Sequence, residues 1–154
     1  MHYDVRLEVD GVLVSWAVSK GPSMDPSVKR LAVKVGDHDM AHADFEGYVP
    51  KANGRHGGVI VWDGGTYANV TEDKRGNVLP MRAGLANGHV KVWLEGEKLQ
   101  GAWALTRTGD ESSTQWLLVK VKDAAADASY DPVVLAPASI LSGRTIDEVR
   151  SSHA

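Results

Sequence analysis

Four residues near the start of the chain, His2, Asp4, Arg6 and Glu8, are spaced by two. On a β-strand that spacing points them to one face, with Tyr3, Val5, Leu7 and Val9 on the other. An imidazole and a carboxylate two residues apart can both reach one metal ion. A guanidinium two residues further along can grip phosphate oxygens as a planar fork. The same alternation also occurs on any strand with one solvent face, so spacing alone leaves both readings open.

His38 and His42 form a second cluster, in the run Gly36-Asp37-His38-Asp39-Met40-Ala41-His42-Ala43-Asp44-Phe45-Glu46-Gly47. Two histidines four apart could share a helix face, but Gly36 and the acidic residues favour a loop. A loop histidine beside carboxylates can be a metal ligand, a general acid, a phosphate contact or surface decoration. His56 lies in the glycine-rich Asn53-Gly54-Arg55-His56-Gly57-Gly58, which has no phosphate-cradling GxxxxGK[ST] pattern. His89 and His153 are assigned no role.

Short strands must carry these groups. Residues 3–9 and 12–18 alternate around Asp10-Gly11, a strong tight-turn pair, and read as a hairpin. Further strands are expected at 31–35, 59–62, 89–94, 100–106 and 115–122, separated by turns such as Asp63-Gly64-Gly65 and Thr108-Gly109-Asp110. Helix is scarce: one turn over 82–86 before Gly88, and a short helix over 146–152. Thr145 and Glu148 would cap the latter with a capping box. The expected fold is mainly β, an antiparallel β-barrel-like domain with a few short helices. Residues 1–122 form the barrel. Residues 123–154, rich in Ala, Asp and Pro at first, read as a linker-like tail ending in the short helix. All five tryptophans fall in expected strands, where barrel core is their commonest use, with base stacking open to one of them.

Composition narrows the class. The chain has 154 residues, 43% hydrophobic and 24% charged, which suits one ordered domain. The absence of cysteine excludes a disulfide frame, a thiol nucleophile and a thiolate metal site. No apolar run approaches the ~18 residues of a membrane span, and Met-His-Tyr-Asp does not read as a signal peptide. A cytoplasmic protein is expected. Net charge is −3, so any affinity for nucleic acid must be local. Lys20, Lys29, Arg30 and Lys34 crowd one stretch, which fits a binding patch or scattered solvated lysines.

Several runs occur together in a fixed order. They are His2-Tyr3-Asp4-Val5-Arg6-Leu7-Glu8, Asp10-Gly11-Val12-Leu13, Ser15-Trp16-Ala17-Val18 and Lys20-Gly21-Pro22-Ser23. They continue with Arg30-Leu31-Ala32-Val33, Asp37-His38, Ala43-Asp44-Phe45-Glu46-Gly47, Val59-Ile60-Val61-Trp62-Asp63, Gly96-Glu97-Lys98-Leu99 and Leu141-Ser142-Gly143-Arg144-Thr145. The set resembles the 3′-phosphoesterase domain of bacterial ligase D, which serves end joining of double-strand breaks. The resemblance implies a metal-dependent enzyme, with manganese favoured, that removes a terminal ribonucleoside from a 3′ end and then the remaining 3′-phosphate. It implies His2 and Asp4 as metal ligands, Arg6 and His38 as phosphate or transition-state contacts, and Lys20 and Arg30 as holders of the scissile phosphate or the strand. The implied partners are the 3′ end of a DNA or DNA–RNA primer–template, with DNA polymerase and DNA ligase domains acting in trans.

The sequence departs from the family pattern at three places. The family has a further metal-binding histidine six residues before the position of His2, upstream of Met1 in this numbering. An upstream start, or a replacement donor such as His42, is the expectation. His42 stands where the family has an active-site tyrosine, and is expected to act in its place. The family's Gly-Glu-Tyr-Gly-Ala-Gly loop is here Ala52-Asn53-Gly54-Arg55-His56-Gly57. These changes keep a second expectation open, a weak or inactive module that binds a DNA end or docks on end-joining proteins. A third, an all-β domain with an unrelated ligand, ignores the ordered runs.

Overall fold

The computed structural model describes residues 2–40, 46–50, 56–146 and 148. Among them the chain forms β1 (Tyr3–Val9), β2 (Val12–Val18), β3 (Arg30–Asp39), β4 (Gly47–Pro50), β5 (His56–Val59) and β6 (Gly65–Asn69). Then follow α1 (Met81–Asn87), β7 (His89–Gly96), β8 (Gln100–Arg107), β9 (Gln115–Lys120) and α2 (Pro132–Leu135). Seven strands make one antiparallel sheet in the order β1-β2-β3-β9-β8-β7-β6, curved into a half-barrel, while β4 and β5 pair as a separate hairpin.

The opening hairpin forms as its residues dictate. Asp10 and Gly11 both adopt positive φ, 52° and 88°. This is the backbone that a two-residue turn between twisted strands requires. Val9 therefore pairs with Val12, and the register runs unbroken to Tyr3 and Val18. Leu7 and Val9 are buried, with Tyr3 and Val5 partly so, while Asp4 and Glu8 are exposed.

The concave side holds the core. Trp16, Trp103 and Trp116 are almost wholly buried, and Trp16 meets Trp116 edge to face at 5.6 Å between centroids. A fully buried tryptophan removes roughly 200 Å² from water, worth about 5 kcal/mol before entropy is counted. Trp62 packs at the rim against Tyr3, 5.1 Å away. Trp93 departs from the core expectation. It is 41% exposed, because it pairs with Ala68 and Ala102 on the convex side of β7.

The sheet has two edges, β1 and β6, and side chains tie them together. The Tyr67 hydroxyl of β6 donates to the Glu8 carbonyl of β1. Arg82 of α1 meets Asp10 of the first turn at 2.7 Å.

The expected strand over 59–62 is not formed beyond Val59. The Val61 backbone is satisfied instead by the Glu46 carboxylate, 2.8 Å from its N–H, and by the Ile140 N–H, 2.9 Å from its carbonyl. Four short elements were not foreseen: β4, β5 apart from Val59, β6 and α2. Asp131 caps α2 by accepting from Val133 N, with Pro132 in its first turn.

Residues 123–144 are bound closely to the half-barrel. Lys120 is fully buried, and its ammonium donates to the carbonyls of Ala102 and Val121 and to Asp123 at 2.7–2.9 Å. Asp123 also accepts from the amides of Ala102 and Ala125. Further on, Trp62 Nε1 donates to the Ala136 carbonyl and Lys98 Nζ to that of Ala138. The Thr145–Glu148 capping box forms in both directions, at 3.2 and 3.3 Å, and the rest of the expected helix lies outside the described residues. Among the described residues, no helix is long and apolar enough to cross a membrane.

Candidate phosphoesterase site

Strand β1 and the residue just before it present the first group. Nε2 of His2 is 3.1 Å from Oδ1 of Asp4, and NH2 of Arg6 is 3.3 Å from Oδ2 of the same carboxylate. The Asp4 carboxylate is therefore shared by its two neighbours on the face. Side-chain exposure falls along the row, from 50% at His2 through 31% at Asp4 to 22% at Arg6.

These donors fit a divalent ion. Two ligands at about 2.1 Å from a metal and at right angles stand about 3 Å apart, close to the His2–Asp4 separation. An imidazole with a carboxylate is a mixed nitrogen–oxygen set that suits borderline first-row ions. Among the described residues, no group of three or more such side chains converges. His42, the expected alternative donor, lies outside the described residues.

The second group comes from β3, and a bulge decides its direction. Ser15 pairs with Val35, but Leu13 pairs with His38, so β3 takes three steps where β2 takes two. Without the extra residue Asp37 would oppose Leu13. With it, His38 shares a face with Leu13, and through Glu8↔Leu13 and Arg6↔Ser15 it shares a face with Arg6. The two backbones lie two strands and one row apart, about 12 Å. Long side chains from both positions can converge on one phosphate.

The basic candidates divide. Lys20 is exposed in the turn after β2, at the end of the sheet where β1 begins. Arg30 opens β3 at that same end. Its partner Leu118 is buried, and its neighbour on the face, Ala32, is also buried, so Arg30 starts on the core side of the sheet. Its Nε is buried with no hydrogen-bond partner among the described residues. Strand parity thus sets Arg30 and Arg6 on opposite faces, and the two are not brought together.

Two further carboxylates that fasten the fold were given no role from sequence. Asp63 accepts from the amides of Glu97, Lys98 and Leu99 at 2.8–3.1 Å. The Val59–Asp63 and Gly96–Leu99 runs are thereby one unit. Glu46 joins the end of the His38–Gly47 run to the C-terminal segment, accepting from Val61 N and from the Ser139 hydroxyl. Ser139 in turn accepts from the amides of Leu141 and Ser142. Burial pushes the Glu46 carboxyl up, but the hydrogen bonds from Ser139, Val61 and Ser142 outweigh it and hold the group below its ordinary value. Both residues stood within quoted runs, but only pairing in space reveals their partners.

The family described as the DNA ligase D 3′-phosphoesterase domain matches residues 1–107. The chain belongs to this family. A multifunctional non-homologous end joining protein LigD of Pseudomonas aeruginosa is 47% identical over 149 residues, which is 95% of this chain and 17% of that relative. A multifunctional non-homologous end joining DNA repair protein LigD of Mycobacterium tuberculosis is 38% identical over 136 residues, 88% of this chain and 16% of the relative. A LigD protein of Mycolicibacterium smegmatis is 38% identical over 123 residues, 80% of this chain. The chain spans about a sixth of the length of these LigD relatives.

Proposed function

We propose that the chain is a metal-dependent 3′-end-processing phosphoesterase. It would remove a 3′-terminal ribonucleoside and then the 3′-phosphate from DNA or DNA–RNA ends during double-strand break repair. The observation that carries this reading is the Asp4 carboxylate held between His2 and Arg6 on one strand face, in a chain of the 3′-phosphoesterase family.

A divalent ion, Mn²⁺ by our reading, would be held by His2 and Asp4 and would supply Lewis acidity at a phosphoryl oxygen. The remaining work falls to the chain's own side chains. Asp4 holds the Arg6 guanidinium in place through its second oxygen. Arg6 then presents its guanidinium to the non-bridging oxygens, where charge grows in the transition state. His38 approaches the phosphate from the β3 side and donates a hydrogen bond to it. His42 is proposed as a further donor. Lys20, on its exposed turn, screens the phosphates of the strand. Arg30 is proposed as a second cation near that end of the sheet, reaching round from the core side. Polymerase and ligase domains would act on the same end in trans, in the cytoplasm.

The test is a primer–template bearing one 3′-terminal ribonucleotide, incubated with the chain and manganese or with a chelator. Chelator-sensitive loss of the ribonucleoside, followed by loss of the 3′-phosphate, is expected. A folded chain that binds the end but releases nothing would replace this reading with that of a DNA-end-binding module.

A further inference from the structure

On the face that bears the candidate site, β2 offers only small side chains at two successive positions. Ala17 lies between Asp4 and Val33, and Ser15 lies between Arg6 and Val35. Ser15 is fully buried and Ala17 half-buried. The result is a low strip whose flanking backbones stand two strand spacings apart, about 10 Å. Its β1 wall is charged, built from Asp4 and Arg6. Its β3 wall is aliphatic, built from Val33 and Val35, and Leu31 continues the same ridge. Val35 is 37% exposed and Leu31 45%.

Single exposed aliphatics are ordinary on protein surfaces and call for no explanation. Three in succession on one strand, two of them aligned row by row with a charged wall, present a defined shape. A phosphate gripped at Arg6 has its attached sugar and base within reach of the opposite wall. That wall offers contact without hydrogen-bond donors or acceptors, so it would hold a nucleoside whatever its base. At the next position on the row, Gln115 pairs with Val33 and is exposed, which closes the ridge with one polar group.

We infer that Val33 and Val35 form the wall that holds the terminal nucleoside of the 3′ end, opposite the phosphate grip of Arg6, which Asp4 holds in place. This rests on the phosphoesterase reading and adds to it a base-independent nucleoside subsite. Removal of the nucleoside uses the wall. Removal of the 3′-phosphate follows after that nucleoside has left, so it uses the wall less. The two reactions are thereby separable at residues that bear no charge.

The experiment compares the wild-type chain with a Val33→Thr/Val35→Thr double variant. Threonine keeps the β-branched shape and strand preference while removing apolar contact. Binding is measured in chelator, by fluorescence anisotropy, to two primer–templates: one ends in an ordinary ribonucleoside, the other in a ribose lacking its base. The wild type is expected to favour the base-bearing end about ten-fold, and the double variant to lose most of that preference. In manganese, the ratio of nucleoside release to phosphate release should fall by a similar factor in the double variant. Equal affinity of the wild type for both ends, absence of binding included, overturns the wall. So does a preference that survives the substitutions in a chain whose circular dichroism and Tm match the wild type. A wild type that binds with the expected preference but releases neither product sinks the phosphoesterase reading and leaves the wall standing.

Discussion

Nε2 of His2 stands 3.1 Å from Oδ1 of Asp4, while the other Asp4 oxygen is engaged by Arg6. One carboxylate thus orients both a candidate metal ligand and a candidate phosphate grip. Asp4→Asn is expected to weaken manganese binding by at least ten-fold, read by isothermal titration, because a neutral amide replaces the only anionic donor of the pair. Stability should change by less than about 1 kcal/mol, since the group is partly exposed. Unchanged metal affinity would remove Asp4 from the site.

Arg6→Lys tests the fork. A lysine keeps the charge but cannot make two parallel hydrogen bonds to phosphate. We expect kcat for 3′-phosphate release to fall about 10²-fold, with His38→Ala falling comparably and manganese affinity held in both. A loss confined to KM would assign these residues to ground-state binding instead.

Lys120 and Asp123 form a buried ion pair whose every ammonium proton is satisfied. Lys120→Ala leaves the Asp123 carboxylate without its cation and should cost about 3–5 kcal/mol, a drop in Tm on the order of 10 °C. Gly101→Ala should destabilise through the same knot. Its φ is +85°, and an added Cβ would lie 2.9 Å from both Asp123 Oδ2 and Lys120 Nζ. Thermal melts followed by tryptophan fluorescence read both variants, and a Tm within 2 °C of wild type on the Lys120 change would contradict the burial argument.

Acid should loosen the C-terminal segment first. Burial pushes the Asp123 carboxyl up, but hydrogen bonds from Lys120 and from the amides of Ala102 and Ala125 hold it below its ordinary value, as Ser139 and Val61 do for Glu46. A carboxyl lowered in the folded chain is protonated first in the unfolded one. Its contribution is complete above the ordinary carboxylate value of about 4 and is lost as pH falls below it. Urea midpoints should therefore fall steeply below about pH 4, and Asp123→Asn or Glu46→Gln should flatten that slope. An unchanged slope in both variants would show that other carboxyls govern acid unfolding.

Asp63→Ala should unfasten the turn between β7 and β8, because three backbone amides lose their acceptor at once. A cost of about 1–3 kcal/mol is expected. Hydrogen exchange at Glu97, Lys98 and Leu99 should quicken by more than ten-fold, with protection in β2 kept. Exchange that stays slow at those three amides would mean that Asp63 does not hold the turn.

Local pattern settled the first hairpin and the face that carries His2, Asp4 and Arg6, because alternation and an Asp-Gly turn act within a few residues. The same local signals read α1 before Gly88 and the capping box of Thr145 and Glu148. The ordered runs named the family from sequence alone. Tertiary structure decided the rest. The direction of His38 depends on one extra residue in β3, which becomes visible only when β2 supplies a register to count against. Parity against Leu118 and Ala32 turned Arg30 away from Arg6, although charge and spacing treat the two alike. The strand expected over 59–62 dissolved because its amide found a carboxylate and its carbonyl found the C-terminal segment. Such partners are far apart in the chain, and a sequence pattern with a period of two residues holds no information about a hydrogen bond that spans fifteen or more.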